Sequence, residues 1–441
     1  MKVFLSWLSV LVLALSGSVH AQESALVLPP VKGGVVGGIP VAVVPFAYDP
    51  QAPGMDADIA AIVRADLARS GDFDPLADRD MIERPTTRSE VNFATWRALK
   101  SDFLAIGRVL PSEGSYQIEF QLFSVGTGER LLGYTIPARP GEMRAIGHYI
   151  ADLIYERLMR VPGAFSTRIA YVTAVGTGNK IDFKLMVSDA DGFSPQPIVR
   201  SREPLLSPTW SADGKRLAYV SFESGSSQIW IQEIASGSRR AVASFKGING
   251  APAFSPDGSK LAVALSRTGN LEINIMDLAT GALTQITNHW GIDTEPQWSP
   301  DAQSIIFTSD RSGRPQIYQV PVSGGEAKRL TFQGEYNARP SVSYDGKKIA
   351  SAMGNRNVYK IVILDRDKGT TFIVSEGNLD ESPSFAPNGR LLIYSSKQGG
   401  RGVLNAVSAN ARVRQRLVLA EGDVREPAWS PLKRRTAPTM P

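Results

Sequence analysis

In the C-terminal part of the chain, apolar and polar positions alternate in short runs. Each run follows the same opening: a proline, an aromatic two residues later, and a tight-turn tetrapeptide. Four stretches align on sight: SPTWSADGKRLAYV from Ser207, APAFSPDGSKLAVA from Ala251, EPQWSPDAQSIIFT from Glu295 and RPSVSYDGKKIASA from Arg339. SPSFAPNGRLLIYS from Ser382 is a fifth, and EPAWSP from Glu426 opens a sixth. The shared proline stands at 208, 252, 296, 340, 383 and 427, so every step is 44 residues except one of 43. The aromatics are Trp210, Phe254, Trp298, Phe385 and Trp429, with Val342 the exception. Ser-Pro-Asp-Gly is a hairpin turn because proline presets φ, aspartate bonds its own backbone and glycine accepts positive φ. Alternation such as Leu217 and Tyr219, or Leu261 and Val263, marks the strand that follows. Four strands per 44-residue repeat is the pattern of a propeller blade.

The two ends of the repeat array are complementary. Arg168-Ile169-Ala170-Tyr171-Val172 duplicates the second strand of a blade, Arg216-Leu217-Ala218-Tyr219-Val220, with no proline–aromatic strand before it. The sixth repeat stops at Pro431 with only that missing strand written, and Arg168 to Pro431 is 264 residues, six periods of 44. A closed six-bladed ring over 164–432 is expected, with 427–430 completing the blade begun at Arg168. An open solenoid would not need complementary half-repeats.

Residues 22–163 follow a different pattern. The apolar run at 39–46 predicts a buried strand, and Ile59, Ile62, Val63 and Leu67 predict a helix over 58–69 that stops at Gly71. Strands are expected at 102–109 and 116–123, and a helix over 142–160 with Met143, Ile146, Ile150, Leu153 and Ile154 on one face. The fold class is therefore a small α/β domain followed by an all-β propeller. Residues 1–21 read as a signal peptide: Lys2, a 13-residue apolar stretch from Val3 to Leu15, then Val19-His20-Ala21. The stretch is short for a membrane span, so the mature protein is expected to start at Gln22, exported and not membrane-spanning. Residues 22–36, with Pro29-Pro30 and glycines beyond, read as a mobile arm in which Ala25, Leu26, Val27 and Leu28 could add as a strand to a sheet edge.

Composition removes several kinds of chemistry. The 441 residues contain no cysteine and three histidines, which excludes disulfides, thiolate metal sites and cysteine nucleophiles and leaves little for histidine catalysis. Without Lys2, 47 basic residues face 43 acidic ones, too mild an excess to suggest nucleic acid. There is no Gly-x-Ser-x-Gly elbow and no Walker loop. His148 and His289 read as structural or solvent-exposed, and Asp213, Asp257, Asp301, Asp345 and Asn388 as turn residues serving their own hairpins. No cofactor, metal or catalytic residue is expected. The residues before each repeat proline are varied and polar, and closure is expected to bring them to one mouth of the axial channel: Asn249, Gly250 and Ala251, Thr294 and Glu295, Arg339, Asp380 and Glu381, Arg425 and Glu426. They form either a partner-binding rim or a merely solvated one.

The whole mature chain resembles the TolB family, the periplasmic component of the Tol–Pal system. The resemblance is carried by IPVAVVPF at Ile39, RIAYV at Arg168, VSDADG at Val187, SFESG at Ser221, NGAPAFSPDGSKLA at Asn249, TSDRSGRPQIY at Thr308 and PAWSP at Pro427. It implies a monomeric, non-enzymatic adaptor that binds the lipoprotein Pal through one face of the propeller channel and TolA through its N-terminal region. Such an adaptor would support outer-membrane integrity and constriction at division and, with other envelope proteins, be exploited in colicin import. Asn249, Gly250 and Ala251 match the family's NGAP loop, and Thr294 and Glu295 its TEP loop; Ile248 stands where relatives often have histidine. TolA binding is implied for the arm as a region, and the basic tail 433–441 runs past the family's usual end. The alternative is a periplasmic propeller that binds a small ligand or oligosaccharide.

Overall fold

The computed structural model describes residues 37–48, 57–178, 180–417, 419 and 422–432. In the α/β domain, β1 (Ile39–Val43) is sandwiched in parallel between β3 (Phe73–Pro75) and β4 (Phe103–Ser112). β5 (Ser115–Ser124) and β6 (Arg130–Ala138) continue from β4 in antiparallel order, and the two-residue β2 (Ala47–Tyr48) pairs with the far end of β4. β1 is apolar throughout because both of its faces are covered. Val41 and Val43 pack with α1 (Ile59–Ser70) and α3 (Met143–Met159), while Ala42 and Val44 pack with Trp96 of the short α2 (Phe93–Ala98).

The first long helix starts and stops on local signals. The Asp58 carboxylate accepts the Ala61 N–H at 3.0 Å to open α1, and Gly71, at φ 73°, closes it. That glycine is also a close approach: a Cβ there would stand 2.9 Å from Ser408 Oγ in the propeller. The core does not stop at the domain boundary. Ile154, Tyr155 and Phe165 belong to the same apolar cluster as Ile169, Tyr171, Ile393, Leu404 and Trp429. The linker folds back on α3, where half-buried Asp152 accepts the N–H groups of Phe165 (2.7 Å) and Ser166 (3.1 Å). Burial pushes the Asp152 carboxyl up to about 6 despite these hydrogen bonds.

Six four-stranded antiparallel sheets form the ring, spanning 205–243, 249–285, 293–329, 336–373, 380–416 and a sixth made from both ends. In the sixth, the final strand Asp423–Trp429 pairs with β7 (Arg168–Val175), which continues to β8 (Asp182–Asp189) and β9 (Gln196–Ser201). The closing strand is also fixed from the side, since Trp429 Nε1 donates to Thr167 Oγ1 at 2.7 Å and the Trp429 N–H to Ser384 Oγ at 2.9 Å. The repeat aromatics join blade to blade: Trp210 Nε1 donates to Ala428 O and Trp298 Nε1 to Ala253 O, each at 3.0 Å.

Each turn aspartate serves its own hairpin. Asp213, Asp257, Asp301 and Asp345 each accept the hydroxyl of the serine two residues earlier and the N–H two residues later. The hydroxyls of Ser255 and Ser259 hold the Asp257 carboxyl down at about 2. The opposite hairpins differ between blades. In the fourth and fifth, eight-residue strands meet in two-residue turns with positive φ, Arg356-Asn357 and Gly399-Gly400. In the first three, the corresponding strands have six residues and the connections 222–227, 266–271 and 310–315 stay unpaired as strand.

Deleting the chain from Asp423 onward would expose the β7 edge and remove the only covalent segment that closes the ring among the described residues. Thermal unfolding should lose its single transition or move far below that of the full chain. A melting temperature lowered by only about 1 °C, roughly 1 kcal/mol for a chain of this size, would overturn the importance of this closure.

Candidate functional site

Antiparallel blades put the Ser-x-Asp-Gly turns on one face of the ring and the inter-blade loops on the other. The turn face carries the α/β domain: α3 and residues 165–168 meet the turns at 212–215 and 256–257 around a cavity of about 860 Å³. Among the described residues, the loop face carries no element of that domain and is the open one.

On the ring axis, every innermost strand breaks register just before its proline. The residue at that point is Ser207, Ala251, Glu295, Arg339, Ser382 or Glu426, and all six have φ between 46° and 55°. None is glycine, so six left-handed residues are held by the surrounding ladder. The bulge turns each of these side chains toward the axis, where they line a channel of about 340 Å³ with the prolines that follow. Arg339 dominates it. Its Nε lies 3.3 Å from Glu295 Oε1, its Nη2 3.4 Å from Glu426 Oε1, and its Nη1 donates to Ser382 Oγ at 2.8 Å. Glu295 also accepts the Arg339 N–H at 2.8 Å and the Thr308 hydroxyl at 2.8 Å, and Glu426 accepts the Ser207 N–H. Burial works against the guanidinium charge, but Glu426 and Glu295 outweigh it. One side chain thus connects the third, fourth, fifth and sixth blades, and Glu426 extends the connection to the first.

The ten rim residues read from the sequence do not share one position. Glu295, Arg339, Glu426 and Ala251 line the channel. Gly250 and Thr294 are half-buried one residue earlier, where Glu381 and Arg425 are exposed, Arg425 paired with Asp423. Asn249 and Asp380 lie two residues earlier than the channel position and are buried. Asn249 is a structural clamp: its Oδ1 accepts the Phe245 N–H at 2.9 Å, and its Nδ2 donates to Phe245 O and Ser227 O. Asp380 is fully buried, and its carboxylate makes no hydrogen bond within the described residues. The expectation of a single common rim is corrected accordingly: the bulge spreads three consecutive residues over three environments. Ala25, Leu26, Val27 and Leu28 lie outside the described residues.

Sequence reading missed Ser207 and Ser382 on the channel, and also the apolar character of the open face. Trp290 and Phe332 are each 75% exposed, and Ile248 and Ile292 about half exposed, all on the three consecutive inter-blade loops between the first and fourth blades. Ile248 and Ile292 sit 44 residues apart, so the repeat period itself carried the signal.

Two family models match the chain: the TolB amino-terminal domain over residues 30–131 and the TolB beta propeller domain over 155–433. The chain belongs to the TolB family. It is 58% identical over 437 residues to the Tol-Pal system protein TolB of Xanthomonas campestris pv. campestris (strain B100), covering 98% of this chain and 99% of that one. The Xanthomonas oryzae pv. oryzae (strain KACC10331 / KXO85) relative of the same name matches at the same identity and coverage. Among solved structures, TolB from Acinetobacter baumannii superposes with a TM-score of 0.82 at 38% identity, covering 90% of this chain and 97% of that one. The α/β domain followed by six blades is thus the architecture of the family. Among the described residues, no helix is long and apolar enough to cross a membrane.

Replacing Arg339 with methionine would leave Glu295 and Glu426 facing each other without their shared cation. A stability loss of about 1–3 kcal/mol is expected near neutral pH. Equal melting temperatures for the variant and the parent chain at neutral pH would remove Arg339 from its assigned place.

Proposed function

We propose that the protein is a non-enzymatic periplasmic adaptor of the Tol–Pal system. In this reading the open face of the propeller binds the lipoprotein Pal, and the N-terminal arm engages TolA, supporting outer-membrane integrity and constriction at division. The reading rests on one observation above all: three consecutive inter-blade loops of the open face expose Trp290, Phe332, Ile248 and Ile292, and charged Glu381 and Arg425 stand exposed on the same face. Large exposed apolar side chains next to polar groups suit a protein partner, with aromatic anchors supplying affinity and charges supplying selection. The channel groups do not suit catalysis, because Glu295, Arg339 and Glu426 are engaged with one another and with backbone N–H groups. The name shared by the curated relatives supports the same assignment.

Calorimetry with the soluble domain of Pal tests it. Trp290→Ala and Phe332→Ala should each weaken binding at least about tenfold, roughly 1.4 kcal/mol, and Glu295→Ala or Thr294→Arg should do likewise. Asp257→Asn, on the opposite face, should leave affinity unchanged. Binding lost in the control but kept in the rim variants would place the site elsewhere. An oligosaccharide retained by the purified protein, with no affinity for Pal, would favour the ligand-binding propeller.

The arm is tested separately. Deleting residues 22–34 should abolish TolA binding and leave Pal binding intact, and unchanged TolA affinity would refute that part of the proposal.

A further inference from the structure

The junction between the α/β domain and the closing blade contains a histidine with an unused nitrogen. His148, on α3, is 3% exposed. Its Nδ1 lies 2.6 Å from Asp66 Oδ2 on α1, and Asp66 Oδ1 accepts from Arg69 Nη2 at 2.8 Å. Its Nε2 faces the propeller, 3.9 Å from Asp191 Oδ2 in the turn between β8 and β9, and has no hydrogen-bond partner. Arg144, one helical turn earlier, pairs with Asp191, stands 3.6 Å from Asp189 Oδ2 and lies over the Phe193 ring at 4.0 Å. Farther out, Arg168 of β7 acts on Asp189, and Asp152 of α3 feels Asp66.

Around the imidazole, then, three carboxylates meet two guanidinium groups. With a neutral ring one negative charge stays uncompensated in a buried place, and with a charged ring the cluster balances. The ligand atoms of His148, Asp189 and Asp191 lie within 4.8 Å of one another, near enough for a metal ion. Arg144 already pairs with both carboxylates, so what the cluster still accommodates is a proton.

We propose that His148 is a proton-operated clasp between the α/β domain and the closing blade. The imidazolium, having taken a proton from solvent, donates through Nδ1 to Asp66 and through Nε2 to Asp191, drawing the 3.9 Å gap in by about 1 Å. The neutral ring keeps only the bond to Asp66 and releases Asp191. Burial, the largest influence, disfavours the charged ring. The hydrogen bond and charge of Asp66 and the charge of Asp191 outweigh it, so the His148 pKa is raised above its usual value. For a raised folded-state pKa, the stabilisation is fully present below the ordinary histidine value of about 6.5 and is lost as the pH rises through the raised one. The clasp therefore closes in acid and loosens on the alkaline side.

Heteronuclear NMR of the mature protein tests this directly. His148 should titrate above the ordinary histidine value, with backbone shifts at the same midpoint in α3 and in residues 189–193. Hydrogen-exchange protection of 189–193, corrected for intrinsic rates, should fall between about pH 5.5 and about pH 8.5. His148→Gln and Asp191→Asn should each abolish that dependence while leaving blades two to four unchanged. A His148 that stays neutral down to about pH 5.5, or a pH dependence that survives in both variants, would overturn the clasp. Because the wild-type titration alone can refute it, the test does not depend on either variant folding.

Discussion

The structure depends on one pairing between distant parts of the chain: the strand Asp423–Trp429 laid antiparallel on Arg168–Val175. Until that pair forms, the ring has two open sheet edges, and bringing its ends together costs loop-closure entropy for most of the chain. The molecule reinforces this seam more than a ladder requires. Trp429 donates to Thr167 in the interdomain linker, and its backbone is held by Ser384 of the neighbouring blade. The apolar cluster behind it includes the helices of the α/β domain. The seam of the ring and the seam between the domains are therefore one core, which explains why a small α/β layer packs on the closing blade.

Much of this was legible before the structure. The proline spacing, the Ser-x-Asp-Gly turns and the two complementary half-repeats lead to six blades and to the place of closure, since each is a local rule repeated in register. The helix limits follow from Asp58 and Gly71 for the same reason. What was not legible is which of three successive residues looks down the axis. Side chains alternate along a strand, so a shift of one residue exchanges its faces, and a bulge makes that shift without any glycine to announce it. Hence Asn249 and Asp380, polar and close to the repeat proline, are buried, while Ser207 and Ser382 reach the channel. The exposed aromatics were hidden for another reason: Trp290 and Phe332 lie in loops, where neither periodicity predicts burial.

The two faces of the ring have separate roles in the physics. Aspartates and serines on the turn face satisfy their own hairpins, and the α/β domain covers part of it. On the loop face the hairpins differ from blade to blade, and apolar bulk is left in water. The channel between them is crossed by Arg339 and the two glutamates, so the axis acts as a cross-brace joining blades that share no ladder.

The unequal hairpins of the open face break the ring's pseudo-symmetry. In the fourth and fifth blades, chain that the first three leave as loop is paired ladder, while the exposed aromatics fall on the loops between the first and fourth. One arc of the rim is stiff, with charged Glu381 and Arg425 following it round, and the opposite arc is greasy. Six near-identical blades could have offered an incoming molecule six equivalent azimuths. This rim offers one, so for a partner docked on it as proposed it would be a keyway that fixes rotation about the axis as well as position upon it.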